Sequence, residues 1–207
     1  NQYIYIYNFN NLQFKQKLKY TYNNFFHYDL SSTNLLLYTN EFGYINILNL
    51  DNNLKKKIKA HDNNIQYIKI SNHSKYIASV SENGSIIKIF DCNTLNLIKL
   101  LYRGISHAEI ITIDFDIHDN HVLVYSNLNT VHIFSLNLNN LFIKNLNYFF
   151  NKNIFDYETS LYKLNLDNSN VLCIIKEYNQ LYVINREDLK LDKYILNNDS
   201  YRLLTTW

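Results

Sequence analysis

Residues Asn64–Ser85, "NIQYIKISNHSKYIASVSENGS", overlay residues Glu109–Thr130, "EIITIDFDIHDNHVLVYSNLNT", without a gap. In both, an alternating apolar run ("YIKIS", "TIDFD") enters a polar turn ("NHSK", "HDNH"). A second apolar run ("YIASVS", "VLVYS") then leads to a tight turn ("ENG", "NLN") and a third run ("SIIKIFD", "TVHIFSL"). Alternation over short stretches rich in Ile, Val, Tyr and Phe describes a pleated strand with one buried face. Phe25–Tyr44, "FFHYDLSSTNLLLYTNEFGY", is a third copy.

Aligning the third runs makes Ile6, Ile47, Ile89, Ile133 and Val183 equivalent, at spacings of 41, 42, 44 and 50 residues. A four-stranded unit that repeats every ~40–45 residues is the mark of a propeller blade. The sequence therefore predicts an all-β, WD40-type β-propeller with about four and a half blades. Its expected units are 1–11 (the end of one blade), 12–54, 55–97, 98–160 and 161–207. The long last spacing predicts an insertion at about 137–147, within "NLNNLFIKNLNYFFNKNIF" (Asn137–Phe155).

Composition agrees with a folded β protein. The chain has 207 residues, of which 47% are hydrophobic, enough to bury a core. Proline is absent and there are three glycines, so Asn and Asp must form the turns, as in "NLDNN" and "FDCN". A net charge of +2 argues against a nucleic-acid partner, which draws on a basic stripe. No apolar run has the length of a membrane helix. Cys92 and Cys173 lack metal-site spacing and read as buried thiols. Propellers close on themselves, and the chain holds no methionine. It is therefore expected to be the C-terminal part of a larger propeller.

"LLYRGISHAEI" (Leu100–Ile110) places an arginine and a glycine together between two strands. With "KAHDNN", "IASVSENGSIIKIFD" and "YSNLNTVHIFSL", it resembles the PROPPINs, the WIPI-type propellers of autophagy. The likeness runs over nearly the whole chain, and "TVHIF" and the Arg-Gly are its most specific parts. The resemblance implies a seven-bladed propeller that binds phosphatidylinositol 3-phosphate and the 3,5-bisphosphate through two rim sites.

The family's hallmark is Phe/Leu-Arg-Arg-Gly. Its second arginine falls on Arg103 and its first on Tyr102. Neighbouring side chains of a strand face opposite ways, so each position serves a different pocket. The resemblance implies a main site of Arg103, Ser126, Thr130 and His132. A guanidinium grips phosphate oxygens bidentately, hydroxyls donate at fixed points and imidazole adds a donor. The second site maps to His61, Ser79, Ser85 and Lys88. There, Lys88 replaces an arginine, Ser85 a threonine and Tyr102 the other arginine, so both guanidiniums are lost. The family's membrane loop maps to Leu138, Leu141, Phe142 and Ile143, apolar residues with Lys144 beside them.

Asp114, Asp116, His118, Asp119 and His121 tempt a metal reading. However, "NHSK" fills the same turn in the preceding repeat without ligand chemistry, and no metal is expected. Nor is a cofactor or a catalytic residue: no nucleophile–base pair or phosphate-binding glycine loop is recognisable. The expected protein is a cytoplasmic effector, peripheral on phosphoinositide-bearing membranes in autophagy-related traffic or organelle biogenesis. Its protein partners would bind through blades absent here. The alternative is a WD40-type interaction scaffold without lipid binding, which needs no cationic rim pocket.

Overall fold

The computed structural model describes residues 2–20, 26–137, 157–167, 170–177, 179–197 and 200–206. All its regular elements are strands. The first sheet pairs β1 (Gln2–Tyr7) with β2 (Phe14–Tyr20). The second runs β3 (Tyr28–Leu30), β4 (Leu35–Glu41), β5 (Tyr44–Asn49) and β6 (Lys55–Lys59). The third runs β7 (Ile65–Ile70), β8 (Tyr76–Ser81), β9 (Ile86–Asp91) and β10 (Leu97–Tyr102). The fourth begins with β11 (Ile110–Phe115), β12 (His121–Ser126) and β13 (Thr130–Ser135). The chain then returns through β14 (Tyr157–Thr159), which adds in parallel to the outer edge of β10. Next, β15 (Tyr162–Asn165) completes the fourth sheet beside β13. The last sheet is β16 (Val171–Glu177), β17 (Gln180–Asn185), β18 (Leu191–Asn197) and β19 (Ser200–Thr206).

Period-2 alternation gives each sheet two apolar faces, and successive sheets stack through them. Ile77 and Phe90 of the third sheet meet Leu37, Ile45 and Ile47 of the second. Its other face, with Val80, Ile87, Ile89 and Leu101, meets Val122, Val124 and Phe134 of the fourth. Leu123, Tyr125 and Ile133 turn from the fourth sheet toward Cys173, Leu181 and Val183 of the last. The described residues form a partial β-propeller of four blades and part of a fifth. Ile47, Ile89 and Ile133 all lie in third strands, each packed toward the following sheet, at 5%, 0% and 1% exposure.

Polar contacts also repeat between blades. The Asp29 carboxylate accepts from Ile70 N at 2.8 Å, and Asp114 accepts from Ile175 N at 3.2 Å. Each carboxylate on a first strand thus holds the backbone of a neighbouring first strand. Buried Asp119 accepts from Ser71 Oγ (2.8 Å), Asn72 N (3.0 Å) and His73 N (3.1 Å), tying two successive turns together. Asp116 accepts from Asn120 N (2.8 Å) and bonds His121 Nδ1 (2.8 Å). The acidic cluster of this turn is therefore occupied by structural partners.

Two features differ from the sequence reading. The outer strands β2, β6 and β10 close the sheets that precede them, whereas the repeat units drawn at 12, 55 and 98 open with those strands. Val183 lies in β17, the second strand of its sheet, and is not equivalent to Ile133. The reason is β15: its "YKLN" resembles the start of a repeat, yet it serves as the fourth strand of the preceding blade, so the count restarts at Val171.

Leu101 is fully buried between the third and fourth sheets, and Ile105, four residues on, is 90% exposed. Leu101→Ala should destabilise the protein by about 2–5 kcal/mol and Ile105→Ala by no more than about 0.5 kcal/mol. Urea denaturation of the two variants checks the inter-blade packing.

Candidate functional site

The alternation that builds the core also sorts the candidate residues. Leu101 and Arg103 follow one another on the side of the third sheet that packs on the fourth. On the facing side of the fourth sheet, Val122 and Val124 continue to Ser126, and Phe134 continues back through His132 to Thr130. Ser126 and Thr130 are cross-strand partners, so the intervening turn brings their hydroxyls to 3.2 Å. Arg103, Ser126, Thr130 and His132 therefore converge from two blades onto one seam.

Arg103 is 8% exposed. Its Nε donates to Gly84 O at 2.7 Å and its Nη2 donates to Ser106 O. Gly104 makes the second contact possible. Its φ of +152° is disfavoured for residues with a Cβ, and it folds the chain so that Ser106 O meets the guanidinium. Among the described residues, no carboxylate pairs with Arg103, and three of its five N–H donors form no hydrogen bond. Lys99, nearby and also buried, has by contrast Glu158 at 2.9 Å and the carbonyls of Ser135 and Asn137.

His132 is buried, and its Nδ1 lies 3.2 Å from Ser160 Oγ. Burial lowers its pKa to about 4, and the positive charges of Arg103 and Lys163 add to the effect. The ring is neutral at pH 7. Ser160 is a residue that sequence reasoning missed. It follows β14 and carries no motif; only the parallel pairing of β14 with β10 brings it here. His107, three residues beyond Gly104, is exposed and lines a separate cleft of about 650 Å³ with His27, Gln66, Glu82 and Glu109.

On the opposite side of the third sheet, Lys88 and Tyr102 share a face, diagonal across β9 and β10. Lys88 Nζ donates to Ala60 O at 2.8 Å, and Ser79, its cross-strand neighbour, bonds His61 Nε2 at 2.9 Å. His61 is buried, and its pKa is lowered to about 4 by burial first and by Lys88 next. The Tyr102 ring lies against Tyr157 of β14, centroids 5.9 Å apart. Ser85 stands apart from this group: its hydroxyl reaches Asn83 O at 3.5 Å, and no hydrogen bond joins it to His61, Ser79 or Lys88. Leu138, Leu141, Phe142 and Ile143 lie outside the described residues.

Comparison with known proteins finds relatives in sequence and in fold. The chain is 41% identical over 86 residues to SVP1-like protein 2 of Pichia angusta and 34% identical over 79 residues to that of Saccharomyces cerevisiae. Over these stretches the chain is similar in sequence to the SVP1-like proteins. The matched stretches span 42% and 38% of this chain, but only 24% and 18% of these relatives. Kluyveromyces lactis Hsv2 with its complete loop 6CD superposes with a TM-score of 0.76 at 20% identity, over 100% of this chain and 69% of that one. KlAtg21, solved in complex with the coiled coil of AgAtg16, gives 0.76 at 16% identity over 99% and 64%. These structures share the propeller fold. No family model matches the chain.

Both buried histidines have folded pKa values below the unfolded value of 6.5. Above pH 6.5 neither state binds the proton, and their contribution to stability is intact. Between pH 6.5 and about 4 the unfolded chain takes up protons that the folded chain excludes, so stability falls with pH. The melting temperature should drop across this window. His61→Gln and His132→Gln should each flatten the slope measured by calorimetry at stepped pH.

Proposed function

We propose that this chain is the phosphoinositide-binding part of a membrane-recruited propeller. It recognises phosphatidylinositol 3-phosphate, the 3,5-bisphosphate or both. The observation that carries this reading is Arg103, a guanidinium buried between two blades with no carboxylate partner among the described residues. A buried cation is costly without a counter-charge. A phosphate group supplies that charge and accepts the remaining N–H donors in bidentate fashion. Ser126 and Thr130 hold two hydroxyls 3.2 Å apart on the facing blade, ready to donate to the same oxygens. His132 adds an N–H, and an anion beside it favours its protonation.

His61, Ser79 and Lys88 form the second, weaker pocket on the other side of the same blade. It holds one ammonium, a point charge, where the main pocket holds a planar fork. Ser85, named for this pocket by resemblance, makes no hydrogen bond to its members. Leu138, Leu141, Phe142 and Ile143 form the segment that dips into the bilayer, with the headgroup pockets fixing its position. The protein works as a peripheral effector on cytoplasmic membrane faces in autophagy-related traffic or organelle biogenesis, and it has no catalytic role. Similarity to SVP1-like proteins supports this setting. The complex of a propeller of the same fold with a coiled coil supports protein partners of that kind.

Charge-assisted hydrogen bonds contribute about 1.5–3 kcal/mol, roughly one to two decades in affinity. Arg103→Ala should therefore weaken flotation with vesicles containing phosphatidylinositol 3-phosphate by at least tenfold, with Lys88→Ala having the smaller effect. Flotation of Arg103→Ala equal to the unmodified protein refutes the main-site assignment.

A further inference from the structure

The outer edge of the second sheet carries a feature that the two pockets do not use. β6 reads "KKKIK", and its lysines at 55, 56, 57 and 59 are all exposed while Ile58 is buried. Lysines on an outer strand guard it against pairing with other chains, and that accounts for Lys55 and Lys56. It does not account for what stands beside Lys57 and Lys59.

Phe42, at the tip of the β4–β5 hairpin, is 55% exposed. Lys59 Nζ lies 5.3 Å from the centre of the Phe42 ring and 5.0 Å from that of Tyr44, and it donates to Phe42 O at 3.3 Å. Lys57 lies 4.1 Å from the centre of the Tyr44 ring and pairs with Glu41. Among the described residues, Lys59 has no carboxylate partner. An exposed aromatic ring beside an unpaired ammonium group is the composition that settles at the headgroup level of an anionic bilayer.

This edge is continuous with the His61–Lys88 pocket. Gly43, next to Phe42, accepts from Ala60 N at 2.8 Å and from His61 N at 3.1 Å, and Ala60 O in turn holds Lys88 Nζ at 2.8 Å. A Cβ on Gly43 would stand 2.0 Å from His61 O, and the φ of +72° is left-handed, so the hairpin reaches His61 only with glycine there. Lys59 is also among the charges that hold His61 neutral. Lys88 and Lys59 thus bracket the histidine with positive charge from two blades.

We propose that Phe42 and Lys59 form a lip that lies on an anionic lipid surface beside the second pocket. The inference rests on the phosphoinositide reading of that pocket. The lip contacts the bilayer rather than the headgroup. It adds non-specific attraction and one interfacial ring to a pocket that holds a single ammonium.

The test compares two probes on the full-length protein. One is soluble inositol 1,3-bisphosphate. The other is vesicles of phosphatidylcholine and phosphatidylserine, with and without phosphatidylinositol 3-phosphate. Lys59→Gln should lower vesicle partitioning about fivefold, and Phe42→Ser should lower it further in combination, while affinity for the soluble headgroup stays unchanged. Thermal melts should match, since both side chains are exposed. Unchanged partitioning of the double variant overturns the lip, and so does an equal loss toward the soluble headgroup. Lys88→Ala in the same assays separates the two claims. If it leaves headgroup affinity intact, the second-pocket reading fails; if it lowers that affinity while the double variant partitions normally, only the lip fails.

Discussion

The site depends on one constraint: a guanidinium held between two stacked β-sheets must find partners there or destabilise the fold. The protein satisfies two of the five N–H donors with backbone carbonyls, Gly84 O and Ser106 O, the latter delivered by the turn at Gly104. It leaves the charge itself without a carboxylate among the described residues. A carboxylate at this seam would stabilise the fold and close the site to anions. Lys99 marks the contrast, because its ammonium is sealed by Glu158 and two carbonyls. One buried cation is sealed by a carboxylate, and the other keeps three N–H donors without a hydrogen bond among the described residues.

The same seam explains the asymmetry of the blade. Alternation along β10 sends Arg103 toward the fourth sheet and Tyr102 toward the second. The return strand β14 then covers the edge of β10, places Tyr157 on Tyr102 and carries Ser160 to His132. Tyr102 is therefore a packed ring rather than an empty arginine position. The opposite side of the blade groups a lysine with a neutral histidine, and the lysine-rich outer edge of the second sheet runs up to them.

Much of this was legible in the sequence because a propeller writes its plan repeatedly. Strand periodicity and the ~40-residue recurrence gave the sheets, and Ile47, Ile89 and Ile133 marked equivalent third strands. The recurrence misled at Val183, since "YKLN" has the pattern of a first strand and nothing local reveals that it closes the preceding blade. Arg103 is singled out by a motif, and Ser126, Thr130 and His132 by resemblance. Their convergence could not be read from spacing, because it depends on a turn and on a neighbouring sheet. Ser160 and the carbonyls that hold Arg103 left no trace at all. Backbone acceptors have no residue identity, and a serine beyond a long insertion has no fixed distance from its partner.

The central claim is that Arg103 and the facing hydroxyls hold an anionic headgroup at this seam. Titration of isotope-labelled protein with inositol 1,3-bisphosphate, followed by the side-chain nitrogen resonances of arginine and histidine, tests it most directly. The account predicts that Arg103 Nε and both ring nitrogens of His132 shift together and saturate with the headgroup. A saturable shift confined to His27 and His107 in the separate cleft, with Arg103 and His132 unmoved, would contradict it.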